Sequence, residues 1–293
     1  MKRLIITLSG LALASTMTTA GAAEITVGGK NYTEQLILSS MTEQYLDALG
    51  HDINRRDGMG SSVLRQAQEN GQIDLYWEYT GTSLIVYNEV SESLSDEATY
   101  ERVKELDAEK GIVWLNPSDA NNTYALAMRA ADAEERGIQT LDDLAGFIND
   151  GNEIPIGLDT EFYARDDGWR PLQKEYGFKV GRSDITRMDT GLMYSALRDA
   201  EVDVAVVFST DGRVPAFDLE ILEDTRGFFP AYSLTPVVRE ETLEIAPELA
   251  EQMNTLSALL DDQTMATLNA SVDVERESIE DVAENFLEEN DLI

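Results

Sequence analysis

The sequence predicts an α/β fold built as two lobes around a ligand cleft. Strand-like and helix-like segments alternate along the chain after residue 23, which is the pattern of an α/β protein. The apolar run at residues 202–208 is typical of a strand in a parallel sheet. No flexible linker interrupts the alternation, so we expect the lobes to be joined by strands that cross between them. Ligands of such proteins bind between the lobes, at strand ends.

The first part of the chain contains three predicted strands and two predicted helices. Apolar and polar residues alternate at 73–79, which predicts a strand. Asn70 and Gly71 end the helix before it. The strands are predicted at 25–29, 51–56 and 73–79, and the helices at 33–49 and 61–69. A turn of small residues is expected at 80–82.

The rest of the chain continues the alternation. Thr140 is expected to cap a helix that has two aspartates in its first turn. Strands are predicted at 112–115, 124–128, 154–158, 202–208 and 234–238, and helices within 91–110 and at 140–148, 164–176 and 188–200. The helix at 164–176 is expected despite Gly168 and Pro171. The chain after residue 238 is predicted to be helical.

Two crossing segments are expected, at residues 116–124 and 229–236. They divide the chain into lobe one, residues 24–122 plus 234–293, and lobe two, residues 123–233. Residues 1–23 have a basic start, a short apolar stretch and a small-residue cleavage site, so they are predicted to be a signal peptide.

The chain contains no cysteine. Disulfides, thiolate metal sites, cysteine nucleophiles and a lipid-anchoring cysteine are therefore excluded. An exported chain without such an anchor is expected in the periplasm of a two-membrane bacterium.

Acidic residues dominate the composition. The chain has 56 Asp and Glu against 22 Lys and Arg, a net charge of −34. Such a field repels nucleic acids and anionic lipid headgroups, so neither is an expected partner. The charge is either an adaptation to salty surroundings or a means of attracting cationic ligands. Its spread along the whole chain favours the adaptation to salt.

Few residues are suited to catalysis. His51 is the only histidine, which argues against catalytic triads and histidine-based metal sites. No phosphate-binding or dinucleotide-binding glycine loop is present. The alternative to a binding protein is an exported hydrolase or lyase that uses Asp159 and Glu161 as acid and base. We expect a protein that is not an enzyme and that has neither a metal nor a cofactor.

Two strand-to-helix turns carry residues suited to a small zwitterion. Tyr79 ends the strand at 73–79 and is followed by the hydroxyls of Thr80 and Thr82. The earlier turn at residues 28–35 supplies Lys30. An aromatic ring attracts an apolar cation, and the hydroxyl and ammonium groups can donate to an anionic tail.

These and other segments resemble the substrate-binding proteins of osmoprotectant ABC transporters, which take up glycine betaine, choline, carnitine and related quaternary amines. The resemblance spans essentially the whole chain after residue 23. Its marks are residues 28–35 (GGKNYTEQ), 71–82 (GQIDLYWEYTGT), 208–213 (FSTDGR) and 229–236 (FPAYSLTP). It implies a hinged, two-lobed periplasmic binding protein of the type II-like class.

The resemblance also implies a cage of aromatic rings around the ligand's trimethylammonium head. A quaternary ammonium has no N–H to donate, so ring faces and dispersion hold it. The positions implied for the cage are Tyr79, Tyr124, Phe208 and Tyr232. Phe208 departs from the more usual tyrosine, which keeps the ring face but removes a hydroxyl.

Donors for the ligand's carboxylate are implied at Lys30, Thr82 and Arg165, with Asn122 as a further polar contact. These donors make glycine betaine the first choice of ligand, with choline, carnitine and ectoine as alternatives. The implied partners are a membrane permease and its separate ATPase, and the binding protein itself is expected to be a monomer. A periplasmic receptor for signalling or storage is the other interpretation as a binding protein.

Overall fold

A computed structural model of the protein describes residues 24–90, 92 and 94–293. The predicted signal peptide, residues 1–23, lies outside the described residues. None of the helices in the described part is both long and apolar enough to cross a membrane.

Within the described residues, ten strands form two five-stranded sheets. The strands of the first sheet are β1 (Glu24–Lys30), β2 (Asp52–Met59), β3 (Leu75–Tyr79), β4 (Ile112–Trp114) and β10 (Leu234–Arg239). The strands of the second sheet are β5 (Tyr124–Arg129), β6 (Ile156–Asp159), β7 (Ile185–Met188), β8 (Val204–Phe208) and β9 (Leu219–Ile221).

The two sheets share one topology. The strand orders are β2-β1-β3-β10-β4 and β7-β6-β8-β5-β9. In each sheet the fourth strand in this order is antiparallel to the third, and it is the strand that enters from the other lobe. The first three strands in each order pair in parallel, so their carboxyl ends meet at one edge. The strand ends on either side of each crossing segment therefore lie in the space between the two sheets.

The two crossing segments lie side by side. The backbone N–H of Asn122 donates to the carbonyl of Tyr232 at 3.2 Å, and that of Leu234 donates to Ala120 at 2.9 Å. The side-chain oxygen of Asn121 accepts from the N–H of Tyr232 at 2.7 Å. The predicted hinge is thus a short two-stranded connection. The lobe boundaries at 122–123 and 233–234 stay a prediction.

Helices cover both sheets. They are α1 (Thr33–Ala48), α2 (Ser61–Glu69), α3 (Thr80–Thr82), α4 (Asp96–Ala108), α5 (Ala130–Arg136), α6 (Leu141–Asn149), α7 (Thr160–Ala164), α8 (Trp169–Tyr176), α9 (Leu192–Arg198), α10 (Arg213–Ala216), α11 (Glu240–Ile245), α12 (Leu249–Ser257), α13 (Asp262–Asp273) and α14 (Ile279–Glu289). A π-helical turn, Ser83–Tyr87, continues α3. Thr140 caps α6 together with Asp143, as the sequence predicts.

Three sequence predictions about elements were wrong. The predicted helix at 164–176 begins too early: α7 ends at Ala164, residues 165–168 form a turn, and α8 begins at Trp169. The turn brings the backbone of Gly168 so close to the carbonyl of Phe162 that a Cβ would lie 1.9 Å from that oxygen. The predicted helix at 188–200 is the end of strand β7 followed by the shorter α9. The predicted turn at 80–82 is helical.

Candidate ligand-binding site

A small cavity, here called the central cavity, lies between the two sheets at their strand ends. Its volume is about 30 Å³, room for a few water molecules at most, since a cavity needs roughly 10–15 Å³ to hold one. All eight residues predicted for the ligand line it: Lys30, Tyr79, Thr82, Asn122, Tyr124, Arg165, Phe208 and Tyr232. The wall is completed by Asn31, Tyr32, Ser61, Asp159, Glu161 and Thr190. Segments far apart in sequence thus meet at one point.

Four aromatic rings of the central cavity form a continuous cluster. Tyr124 begins β5 and contacts Phe208, at the end of the paired strand β8, with ring centroids 4.9 Å apart. The ring of Tyr232 meets Tyr124 edge-on at 5.7 Å. Tyr32 stacks on Phe208 at 5.5 Å with an interplanar angle of 15°. Such rings present the faces and edges that a cage for an apolar cation requires.

Lys30 is buried and forms an ion pair within its own lobe. Its Nζ lies 2.5 Å from Oε1 of Glu78 and 4.7 Å from the ring centroid of Tyr79. Glu78 also accepts hydrogen bonds from the hydroxyls of Tyr76 and Tyr87. The ammonium therefore already has a buried counter-charge, and it packs against one of the predicted cage rings.

Arg165 is likewise held by a carboxylate. Its Nε and Nη2 donate to the two oxygens of Asp167 at 2.6 and 2.5 Å, and the hydroxyl of Tyr232 donates to the same carboxylate. The guanidinium lies 5.3 Å from the ring of Tyr124 and 5.8 Å from that of Tyr232. Nη1 makes only a 3.3 Å contact with Glu161, whose side chain is 41% exposed. The two hydrogen bonds to Asp167 fix the plane of the guanidinium. Nη1 makes only the longer contact with Glu161, so it is the most weakly bound N–H group of Arg165.

A larger cleft, here called the outer cleft, adjoins the central cavity. Its volume is about 580 Å³. The two cavities share seven wall residues: Asn31, Tyr32, Asn122, Asp159, Glu161, Thr190 and Phe208. Phe208 and Tyr32, whose rings stack, are both part of this shared wall. Glu34, Asp189, Asp211 and Asp273 add further carboxylates to the outer wall.

Glu34 is a functional candidate that the sequence analysis did not single out. It is buried at the start of α1, and its carboxylate accepts four hydrogen bonds. Oε1 accepts from the hydroxyl of Tyr79 at 2.6 Å and from Asn122 at 2.7 Å. Oε2 accepts from Thr210 at 2.7 Å and from Asn269 at 3.2 Å. Burial raises the pKa of Glu34, and these donors lower it by a smaller amount.

Asp159 is the second buried carboxylate at the site. It is the last residue of β6, and its Oδ1 caps α7 by accepting from the N–H of Phe162 at 2.9 Å. Among the described residues, no donor reaches its buried Oδ2. Burial, together with the nearby charge of Glu161, raises the pKa of Asp159 to about 6, although the Phe162 hydrogen bond opposes the shift.

Tyr32 is the aromatic residue that the prediction missed. It lies in the 28–35 motif, so the motif itself could have pointed to it.

His51 lies away from both cavities and hydrogen-bonds to Gln252 at 2.9 Å. The part of the chain that the structure describes contains no group of three His, Cys, Asp or Glu residues placed to hold a metal ion.

Comparison with known proteins gives the family. A family model described as the substrate binding domain of an ABC-type glycine betaine transport system matches residues 23–289. The chain belongs to this family. The glycine-betaine-binding protein of Pseudomonas aeruginosa is 44% identical over 280 residues, 94% of this chain and 90% of that protein.

Solved structures of the binding-protein family share the fold. Apo YehZ from Escherichia coli is 32% identical with a TM-score of 0.68, over 93% of this chain and 100% of that chain. A glycine betaine/carnitine/choline ABC transporter structure is 27% identical with a TM-score of 0.75, over 92% and 99%. The predicted two-lobed, hinged α/β fold is confirmed, and so is the predicted family of ABC-transporter binding proteins.

Proposed function

We propose that this protein captures a quaternary amine in the periplasm, with glycine betaine as the first choice, and presents it to the permease of an ABC importer. The observation that carries the proposal is that all eight predicted ligand residues line one cavity at the strand ends. The relative from Pseudomonas aeruginosa, named for glycine betaine, supports the same ligand. Residues 1–23 would direct export and be removed.

The ring cluster would bind the trimethylammonium head. Each well-placed ring contributes about 0.5–2 kcal/mol to binding of such a cation. Phe208 and Tyr232 each contact the ring of Tyr124, and Tyr79 lines the same cavity from the first lobe. A ligand between them would contact rings of both lobes, so binding would favour the closed arrangement.

The carboxylate of glycine betaine would be held by Arg165 and Thr82. Asp167 fixes the guanidinium from behind through Nε and Nη2, so Nη1 is the N–H group that would turn to the ligand. A donor positioned in this way loses little side-chain entropy on binding. Lys30, already paired with Glu78 at 2.5 Å, would contribute mainly through its charge.

Ligand entry would require the lobes to separate. The central cavity holds about 30 Å³, and a quaternary amine is several times larger than a water molecule. The outer cleft shares its wall with the central cavity on the side of Phe208 and Asn122. Separation of Phe208 from Tyr32 would join the two spaces and admit the ligand.

The experiment is calorimetric titration of the protein that begins at Glu24 with glycine betaine, choline, carnitine and ectoine, at low and molar salt. We expect saturable binding of glycine betaine that weakens about 2- to 30-fold in Tyr124→Leu, because one ring contributes about 0.5–2 kcal/mol. Tyr45→Leu is the matched control, since Tyr45 is also a buried tyrosine but lines neither cavity. Binding of none of the four ligands by the folded protein would refute the proposal.

A further inference from the structure

We propose that Asp159 is a specificity-determining residue that favours ligands of net positive charge, such as choline, relative to zwitterions such as glycine betaine. The inference rests on the proposed capture of quaternary amines. In this role the carboxylate of Asp159 supplies a fixed negative charge beside the ring cluster. It attracts the cationic head of either ligand and repels the carboxylate that only the zwitterion carries.

The position of Asp159 suits this role. It ends β6 in the second lobe and lines both the central cavity and the outer cleft. Tyr124, a predicted cage ring, lies on the same wall. Only 4% of the Asp159 residue surface is exposed, so water screens its charge poorly, and a ligand in the cavity would experience it strongly.

The hydrogen bonds of Asp159 leave one oxygen unused. Oδ1 caps α7 through the N–H of Phe162, whereas the buried Oδ2 has no donor among the described residues. A buried, unpaired carboxylate oxygen is costly. The capping role does not require the charge, because asparagine caps helices about as well as aspartate. A cationic ligand would explain why a charge stands at this position.

Asp159 forms no direct ion pair among the described residues, although the charge of Arg165 acts to lower its pKa. Lys30 is paired with Glu78, and Arg165 is held by Asp167 through two N–H groups. These ion pairs satisfy the two cations that line the central cavity. Asp159 and the more exposed Glu161 therefore give the wall an excess of negative charge.

The same carboxylate should make ligand preference depend on pH. The titratable and charged groups that face it are Glu161 and Arg165 around α7, Tyr124 on β5 and Asp189 after β7. Burial first, and Glu161 in addition, raise the pKa of Asp159 to about 6. Protonation below this pH removes the charge, so the preference for choline should fall as the pH falls from 7.5 to 5.

The test is titration calorimetry of the wild type and Asp159→Asn with choline and with glycine betaine, at pH 7.5, 6 and 5. In Asp159→Asn at pH 7.5 we expect the ratio of choline affinity to glycine betaine affinity to fall about tenfold, the order expected for a partly screened charge pair. The wild-type ratio should fall towards the variant's value at pH 5, and the variant's ratio should change much less over the same range, because Glu34, whose pKa burial also raises, is present in both proteins.

Asp261→Asn is the matched control, because Asp261 caps α13 in the same way but is exposed and lines neither cavity. The control should leave the ratio unchanged. An equal loss of affinity for both ligands in Asp159→Asn, or an unchanged ratio, would overturn the specificity role while the proposed function stands. A wild type that binds neither ligand would instead refute the proposed function and this inference with it.

Discussion

The carboxylate of Glu34 accepts a 2.7 Å hydrogen bond from the hydroxyl of Thr210, which joins the helix after β1 to the segment after β8. This contact joins the two sheets beside the crossing segments, because the same carboxylate accepts from the side chain of Asn122 at 2.7 Å. Arg213 and Asp273 form an ion pair at 3.0 Å across the same boundary. A Cβ on Gly212 would lie 2.5 Å from the Cβ of Ala270, so the two surfaces meet closely there. We interpret these contacts as part of what holds the closed arrangement together.

Thr210→Val should weaken ligand binding. Valine has the shape of threonine without the hydroxyl, so the buried Glu34 carboxylate would lose one of its donors only in the closed arrangement. A hydrogen bond to a charged group contributes about 1.5–3 kcal/mol, and we expect affinity to fall about tenfold or more. Calorimetric titration measures the affinity. Thr267→Val is the control, because the hydroxyl of Thr267 bonds its own helix at Gln263, and equal affinities for the two variants would contradict the interpretation.

Phe208→Ala should reduce affinity, and Phe208→Tyr should preserve it. The ring stacks on Tyr32 and contacts Tyr124, and its loss would remove one face of the proposed cage, worth about 0.5–2 kcal/mol. Dissociation constants of all three proteins for glycine betaine would test this. Phe217→Ala is a suitable control, since Phe217 is also a partly buried phenylalanine of the second lobe but lines neither cavity. Wild-type affinity in Phe208→Ala would show that this ring is not part of the cage.

Gly81→Ala should destabilise the protein and disturb the site. A Cβ at this position would lie 2.7 Å from the carbonyl oxygen of Ala231 and 2.9 Å from the ring of Tyr232. Overpacking of this kind costs about 1–3 kcal/mol, and the clash would move a cage ring. Urea unfolding gives the free energy of unfolding, and titration gives the affinity.

Gly146→Ala is the matched control for the substitution at Gly81. Gly146 lies inside α6, and a Cβ there would meet no atom within 4 Å. Alanine stabilises a helix interior by about 0.5–1 kcal/mol relative to glycine. The two glycine-to-alanine changes should therefore alter stability in opposite directions, and a stable, fully active Gly81→Ala protein would contradict the packing argument.

Much of the fold was predictable because its signals are local. The helix at 61–69 was predicted at the bounds that the structure shows, and the crossings followed from the absence of a linker. The errors occur where tertiary contacts, and not the local sequence, determine the secondary structure. Strand β7 was missed because its exposed residues, such as Thr186 and Arg187, carry no apolar pattern. The break between α7 and α8 depends on the close approach of Gly168 to Phe162, which periodicity does not reveal.

The site was predictable to the extent that its residues lie in recognisable motifs. Their contacts were not predictable, because pairing partners come from distant segments. Asp167 is two residues from Arg165, yet Asp166 and Glu161 were equally plausible partners in sequence. Glu34 lies within a motif, but its four donors come from separate segments, at residues 79, 122, 210 and 269. Only the assembled fold brings them together.

The buried pair of Arg65 and Asp107 should make stability depend on acidic pH. Two N–H groups of Arg65 donate to the carboxylate at 2.8 and 2.7 Å. Burial by itself would raise the pKa of Asp107, but the hydrogen bonds and charge of Arg65 outweigh it and lower the pKa to about 2. Because the folded pKa lies below the unfolded value of about 3.9, the pair stabilises the fold above that value. This contribution, about 2–3 kcal/mol, is lost as the pH falls from about 4 towards 2.

Asp107→Asn tests this dependence, because it removes the buried counter-charge of Arg65 and leaves only Glu69, whose side chain is 36% exposed, as the ionic partner of the guanidinium. Loss of one partner of a buried ion pair costs about 3–5 kcal/mol, so we expect a drop of that order in the free energy of unfolding at pH 7. The difference from the wild type should shrink at pH 3, where the wild type has begun to lose the same interaction. Urea unfolding at the two pH values measures both differences. Asp142→Asn, which removes the partner of Arg226 in an exposed pair, should have little effect at pH 7. The free energies of unfolding of Asp107→Asn and the wild type could instead differ by the same amount at pH 7 and pH 3. That result would show that the charge of Asp107 does not stabilise the fold.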